Sequence, residues 1–177
     1  MTDTKEYGLA LFSLAEESGR VDAILKDLKT VCEAFHAAPE YKRLLDTPAL
    51  SKSERLALVS EAFGSIDEYA LNTLKILCEH RSVEHFESVA EAFAAEYDRS
   101  RGIERVTAVT AVAMSDKQIE ALTARLEKIT AKTVIIKNVV DPSILGGVKL
   151  QYMGVQHDGS IKSRLDSLSK SLSNTVI

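Results

Sequence analysis

Tryptophan is absent from the 177-residue chain, which also has only three prolines, eight glycines and two cysteines. Two cysteines make no disulfide framework. Cys32 and Cys78 each stand at helical spacing beside an apolar residue, as Val31-Cys32 and Leu77-Cys78, and read as small buried hydrophobes, reduced in a cytosolic setting. Long apolar runs are missing too. The longest uncharged apolar-leaning run, Val106 to Met114, is too short to cross a bilayer, so attachment to a membrane has to come through partners, without direct insertion. Met1-Thr2-Asp3-Thr4-Lys5-Glu6 has neither the basic and apolar regions of a signal peptide nor the Arg-rich, acid-poor start of a transit peptide. A cytoplasmic protein of bacterial type is expected.

Residues arranged for catalysis are equally scarce. Of the histidines His36, His80, His85 and His157, the closest pair, His80 and His85, does not bring both rings to one helix face, and Cys78 adds no Cys-x-x-Cys or His-x-x-x-His arrangement. Gly146-Gly147-Val148-Lys149 lacks the spacing of a phosphate loop and precedes a strand, where such a loop needs a helix N-terminus. No serine lies in a Gly-x-Ser-x-Gly elbow, and the carboxylates are scattered over helix faces. No catalytic residue, cofactor or metal is expected. The net charge of −4 is unevenly divided: residues 1–101 hold 12 Lys and Arg against 19 Asp and Glu, and residues 102–177 hold 10 against 7. Two ordinary solvated surfaces would give this split, and so would two halves that meet different partners. Neither half is basic enough for a nucleic-acid binder.

What the chain does have is helical rhythm. Tyr7, Leu11 and Leu14 mark a first helix whose apolar surface is broadened by Leu9, Ala10, Phe12 and Ala15. Val21, Ile24, Leu28, Val31 and Phe35 mark a second, and Tyr41, Leu44 and Leu45 a short third before Pro48. Ser51 with Glu54, and Ser65 with Glu68, have the spacing of capping boxes, the first opening a helix through Leu58, Val59 and Phe63, the second a helix carrying Leu71, Leu74, Leu77 and Cys78. A sixth follows with Phe86, Val89, Phe93 and Tyr97. Short connections predict a compact six-helix bundle over residues 1–102.

After Arg99-Ser100-Arg101-Gly102 the rhythm changes to β-branched alternation, Val106, Thr107, Val109, Thr110 and Val112, which places a domain boundary here. A third box, Ser115 with Gln118, leads into Ile119, Leu122, Leu126 and Ile129, and Thr133 to Val140 is a β-branched run. Pro142 leaves that strand, the glycine pair reverses the chain, and Val148, Leu150 and Tyr152 re-enter a sheet as a half-buried strand. Met153-Gly154 offers a turn, Val155 begins a brief strand, and Asp158-Gly159-Ser160 caps a last helix striped with Ile161, Leu165, Leu168, Leu172 and Val176. Residues 103–177 thus predict a small α+β domain, near the size at which one core is barely sufficient, so mobile or partner-stabilised. The whole reads as mainly α, with no internal repeat or low-complexity segment evident.

Asp141-Pro142-Ser143-Ile144-Leu145-Gly146-Gly147, Asp158-Gly159-Ser160-Ile161 and Arg164-Leu165 together resemble the C-terminal signature of the delta subunit of F-type ATP synthases, the family of the oligomycin-sensitivity-conferring protein. Tyr7-Gly8-Leu9-Ala10-Leu11-Phe12 resembles that family's opening helix, with Gly8 where the family commonly has alanine, and Leu71-Asn72-Thr73-Leu74-Lys75 with Arg81 resembles its fifth. Met153-Gly154-Val155 departs from the Gly-Asp turn often found there. The resemblance implies a non-catalytic stator subunit at the cytoplasmic face of the bacterial inner membrane. In it an N-terminal six-helix bundle binds the N-terminal helix of an alpha subunit of the catalytic head, and the C-terminal domain engages the b subunits of the peripheral stalk. Carried over by position, the head-binding residues are Tyr7, Leu11, Leu14, Leu71, Leu74, Lys75 and Cys78. Asp141, Gly146, Gly147, Asp158, Ser160, Arg164 and Leu165 fall to fold maintenance or stalk docking. An aspartate at Leu74 is expected to weaken head binding.

Read from the residues alone, the leucines of the first and fifth helices serve either as a groove for a partner's amphipathic helix or simply as bundle core. Two other classes stay open beside the stator: a stand-alone helical adaptor, and an enzyme using Cys78, His80 or Asp158.

Overall fold

The computed structural model describes residues 4–144, 146–152 and 155–158, the last four by their backbone. The chain is mainly helical with a small sheet, and it divides into two compact units, Met1–Tyr97 and Asp98–Ile177.

The first unit holds α1 (Thr4–Glu17), α2 (Val21–Ala37), α3 (Pro39–Asp46), α4 (Lys52–Phe63), α5 (Glu68–Glu79), a 3₁₀ turn at Val83–His85 and most of α6 (Phe86–Ser100). At α3 and α4 local chemistry deals with the free N–H groups of the first turn. Pro39 opens α3, where its missing N–H costs nothing. At α4 the predicted box forms: Ser51 N–H donates to Glu54 Oε2 at 2.8 Å, and Glu54 N–H to Ser51 Oγ at 3.3 Å. The Ser51 hydroxyl, which donates to Glu54 Oε2 at 2.7 Å, and then the Ser51 N–H hold the Glu54 carboxyl below the usual range.

At α5 the predicted Ser65–Glu68 box does not cap the helix. Asp67 caps it instead, Oδ1 accepting from Tyr69 N–H at 2.9 Å. Asp67 is fixed from outside its own helix: its N–H donates to Asp27 Oδ2 at 2.7 Å, and Arg20 Nη1 reaches its Oδ2 at 3.1 Å. Tertiary contacts, not the local pattern, therefore decide where α5 begins. Asp46 plays a similar part for the 3₁₀ turn, accepting from the N–H groups of Val83 and Glu84 at 3.0 and 2.9 Å.

One core serves all six helices. It gathers Leu11, Phe12 and Ala15, then Ile24, Leu28, Val31 and Phe35, with Leu45, Val59, Phe63, Ala70, Leu74, Leu77, Cys78, Val83, Phe86, Val89 and Phe93. Phe35 stands edge-on to Phe63 and Phe86 at 5.6 and 5.7 Å, and Phe12 to Phe93 at 5.4 Å. Gly8 lets α1 approach α6 closely, since a Cβ there would lie 2.6 Å from both the Val89 carbonyl oxygen and Ala92 Cβ. That accounts for glycine where alanine is common in the family resembled. Arg55 is the charged exception to apolar burial: the residue is 4% exposed, and its Nε and Nη1 have no hydrogen-bond partner among the described residues.

The second unit contains β1 (Ile103–Thr110), α7 (Asp116–Thr130), β2 (Thr133–Val140), β3 (Val148–Tyr152) and β4 (Val155–Asp158), in sheet order β2-β1-β3-β4. Strands β1 and β2 are parallel, with Ile103 opposite Thr133, joined through α7; β3 and β4 continue antiparallel. Val106, Ala108, Val134 and Ile144 are buried. The buried Glu104 carboxylate is met by Lys132 Nζ at 2.8 Å. Asn138 ties the layers together, Nδ2 donating to Ala108 O at 2.9 Å while Oδ1 accepts from Met114 N–H at 2.8 Å. Helix α7 packs on β2 yet has no fully buried residue. Ile129, expected on its inward stripe, is 73% exposed. The predicted turn at Met153-Gly154 and the last helix lie outside the described residues.

Two outcomes follow for chemical denaturation of the full chain. Gly8→Ala is expected to lower stability by about 1–3 kcal/mol, because separating α1 from α6 outweighs the gain in helix propensity of about 1 kcal/mol. Arg55→Met is expected to raise stability by about 1–3 kcal/mol, since it replaces a buried guanidinium, two of whose nitrogens have no partner among the described residues, with an apolar side chain of similar length.

Candidate interaction site

Helices α1 and α5 pack directly against each other. Their junction is pinned at one end by Arg20, in the turn after α1. Its guanidinium lies 4.5 Å over the Tyr69 ring, with Nη1 3.1 Å from Asp67 Oδ2 and Nη2 3.0 Å from Glu68 Oε1. A planar fork can stack on a ring and bond two carboxylates at once, which an ammonium cannot do as well.

The sequence-derived head-binding residues separate into three groups here. Leu11, Leu74 and Cys78 are buried in the core, at 2%, 0% and 0% exposure. Tyr7, Leu71 and Lys75 are half-buried on its margin. Leu14 alone of the seven is well exposed, at 46%. An aspartate at Leu74 would therefore attack the fold before it tested any surface. Exposed apolar area is also carried by Ile76 on α5, 40% exposed, which the periodicity argument passed over, and by Leu9 on α1, 43% exposed, named there as broadening the helix's apolar surface. A signal for Ile76 was present in the sequence. It is aliphatic but out of phase with the buried stripe Ala70, Thr73, Leu74 and Leu77, and an apolar residue off the core phase of a helix has no internal use.

The signature residues in the second unit build a reversal. Asp141 N–H donates to Thr110 O at 2.8 Å, and its Oδ1 accepts from Ser143 N–H at 2.9 Å. Ser143, through its side chain and then its backbone, holds the Asp141 carboxyl below the usual range. Gly146 and Gly147 follow at φ 147° and 86°, a region that favours glycine, and return the chain into β3. Asp158 is the last residue of β4, opposite Lys149. Ser160, Arg164 and Leu165 lie outside the described residues.

Among the described residues no group of three or more His, Cys, Asp or Glu could hold a metal ion, and no helix is long and apolar enough to cross a membrane. His80 ends α5 and His85 lies in the 3₁₀ turn, both exposed. Burial pushes the Cys78 thiol up to about 12, with the Asp46 carboxylate adding to the shift, and burial pushes Cys32 up to about 11. Neither thiol is poised as a nucleophile. The chemistry on offer is an exposed apolar margin on a rigid helical unit, the build of an assembly subunit.

Comparison with known proteins gives the same class a family. The profile described as ATP synthase delta (OSCP) subunit matches residues 4–172. The ATP synthase subunit delta of Geobacillus sp. (strain WCH70) is 32% identical over 169 residues, covering 95% of each chain. That of Clostridioides difficile (strain 630) is 31% identical over 172 residues, covering 96% of this chain and 95% of its own. A chain of the Toxoplasma gondii mitochondrial ATP synthase hexamer shares the fold, with a TM-score of 0.77 at 24% identity over 97% of this chain and 98% of that one. The chain belongs to the ATP synthase delta (OSCP) subunit family. It is a non-catalytic stator component of F-type ATP synthase.

The raised thiols give a direct check. Both cysteines stay protonated through pH 8, so native protein is expected to react with a disulfide reagent such as DTNB far more slowly than free cysteine, Cys78 slowest, and both are expected to react at once in about 6 M guanidinium.

Proposed function

We propose that the chain is the joint between catalytic head and peripheral stalk. Its N-terminal six-helix bundle, residues 1–102, holds the N-terminal helix of an alpha subunit along α1 and α5, and its C-terminal α+β domain, residues 103–177, engages the b subunits. Bound in this way, it sits peripherally on the cytoplasmic face of the bacterial inner membrane. The observation that carries the reading is the exposure of Leu14 and Ile76, at 46% and 40%, on two helices that pack together and already share the core.

The role is mechanical. Ion-driven rotation of the central shaft exerts torque on the head, and a stator has to resist it without slipping if rotation is to drive ATP synthesis. A buried apolar contact with a polar rim dissociates slowly, whereas exposed ion pairs contribute at most about 1 kcal/mol each. In the groove, Leu11, Leu74 and Cys78 form the floor beneath the contact, and Tyr7, Leu14, Leu71 and Lys75 meet the partner. A stand-alone adaptor would use the same surface but would not remain with the synthase.

Capture from detergent-solubilised membranes of the source organism, read by mass spectrometry, tests the reading. Tagged wild-type protein is expected to recover alpha, beta and b subunits. Leu14→Asp is expected to keep the fold and lose alpha by tenfold or more, because binding would bury a charge in an apolar contact, while Leu74→Asp is expected to unfold the domain. Undiminished alpha recovery with folded Leu14→Asp would overturn the site.

A further inference from the structure

Arg20 stands where three helices meet. Its N–H donates to Ala15 O at 3.0 Å, beside the bonds of Ser18 and Gly19 to Leu14 O and Glu16 O, both at 3.1 Å, so its backbone is fixed to the last turn of α1. Its carbonyl accepts from Ile24 N–H at 3.0 Å, in the first turn of α2. Its side chain then crosses to a third helix and takes hold of Asp67, Glu68 and Tyr69, the cap and first two residues of α5.

Helix α5 has few other contacts of fixed direction. The ring pairs of the bundle, Phe12 with Phe93 and those around Phe35 and Tyr41, lie on α1, α2, α3, α4 and α6, and among the described residues none includes a residue of α5. What α5 gives the core is Ala70, Leu74, Leu77 and Cys78, side chains whose apolar attraction is non-directional. Two further bonds fasten it elsewhere: Asp27 on α2 accepts the Asp67 N–H at 2.7 Å, and Lys52 on α4 reaches Glu79 at 2.9 Å. Of these three ties, only Arg20 is built onto the end of α1.

The clasp bears on the exposed residues of the two helices. Leu14, 46% exposed, accepts the first bond of the turn that carries Arg20. Ile76, 40% exposed, lies beyond Tyr69 by about 10 Å along α5, at about 1.5 Å per residue. A continuous path of fixed geometry therefore runs from Leu14 through the turn and the guanidinium to the start of α5 and on to Ile76. We propose that Arg20 is a positioning residue for head binding: it sets how α5 lies against α1, and so the alignment of Leu14 with Ile76, without itself touching the partner. The proposal rests on the head-binding reading above. A planar guanidinium that stacks on a ring and bonds two carboxylates fixes direction as well as distance, whereas an ammonium fixes distance alone.

Two measurements on the full chain test this. Fluorescence anisotropy reads affinity for a labelled peptide of about 25 residues from the N-terminus of the same organism's alpha subunit, long enough for several helical turns. Nuclear magnetic resonance, through residual dipolar couplings and contacts between the two helices, reads how α5 lies on α1. Circular dichroism establishes that each variant is folded. R20Q is expected to bind the peptide about fivefold more weakly than wild type and to shift the couplings of α5 relative to those of α1. R20K keeps the charge without the fork and is expected to show both changes to a smaller degree, which carries the test if R20Q does not fold. In the R20Q background, Ile76→Ala is expected to cost less affinity than in wild type, because its side chain is already out of line. A role confined to stability would lower the unfolding temperature and leave these readouts of the folded protein unmoved, which would overturn the proposal. Weakened binding with unaltered couplings would overturn it as well, since Arg20 would then touch the partner directly, and so would shifted couplings at full affinity. A wild-type chain that does not bind the peptide would sink the head-binding reading itself, and the role of Arg20 with it.

Discussion

Phe35 is the contact on which the N-terminal unit depends. Its ring meets Tyr41, Phe63 and Phe86, so that α2, α3, α4 and α6 converge on one aromatic node. Helices α1 and α5 do not contribute to that node; they join the same core through Leu11, Phe12, Leu74 and Leu77. The consequence is a division of labour within one small unit. Four helices close on each other through aromatic rings, and two attach by their inner faces and keep outer surface to spare. A subunit that has to transmit force needs such a rigid core behind its contact surface, because a soft one would absorb displacement instead of resisting it.

The limits of reading this fold from sequence follow from what periodicity measures. It finds the buried face of a helix, so α2, with Ile24, Leu28, Val31 and Phe35 inward, was legible, as were the Ser51–Glu54 box and the change to β rhythm at Ile103. The same logic misdirects a search for docking residues. Leu11, Leu74 and Cys78 answer to the periodicity because they are core, while Ile76 is exposed because it is out of phase. Contacts between distant segments were invisible: Asp67 rather than Ser65 starts α5 because Asp27 and Arg20 hold it there. Gly8 looked like a departure from family habit, and only the nearness of the Val89 carbonyl explains it.

The turn after α1 does more than reverse the chain. Gly19 there is left-handed, at φ 66°. Arg20 beyond it bonds Asp67 and Glu68 and stacks on Tyr69, so a residue of the first connection fastens the start of the fifth helix.

The small sheet has a consequence for how the chain meets other copies of itself. Strand β2 is an outer strand of the described sheet and presents Ile135, Val139 and Val140 to solvent, with Lys137 between them. Unpaired backbone along such a strand is a template for another chain, and a lysine in its middle is the kind of charge that keeps like edges from zipping together. Lys137 stands where such a charge acts against self-association, between the exposed aliphatic residues of β2.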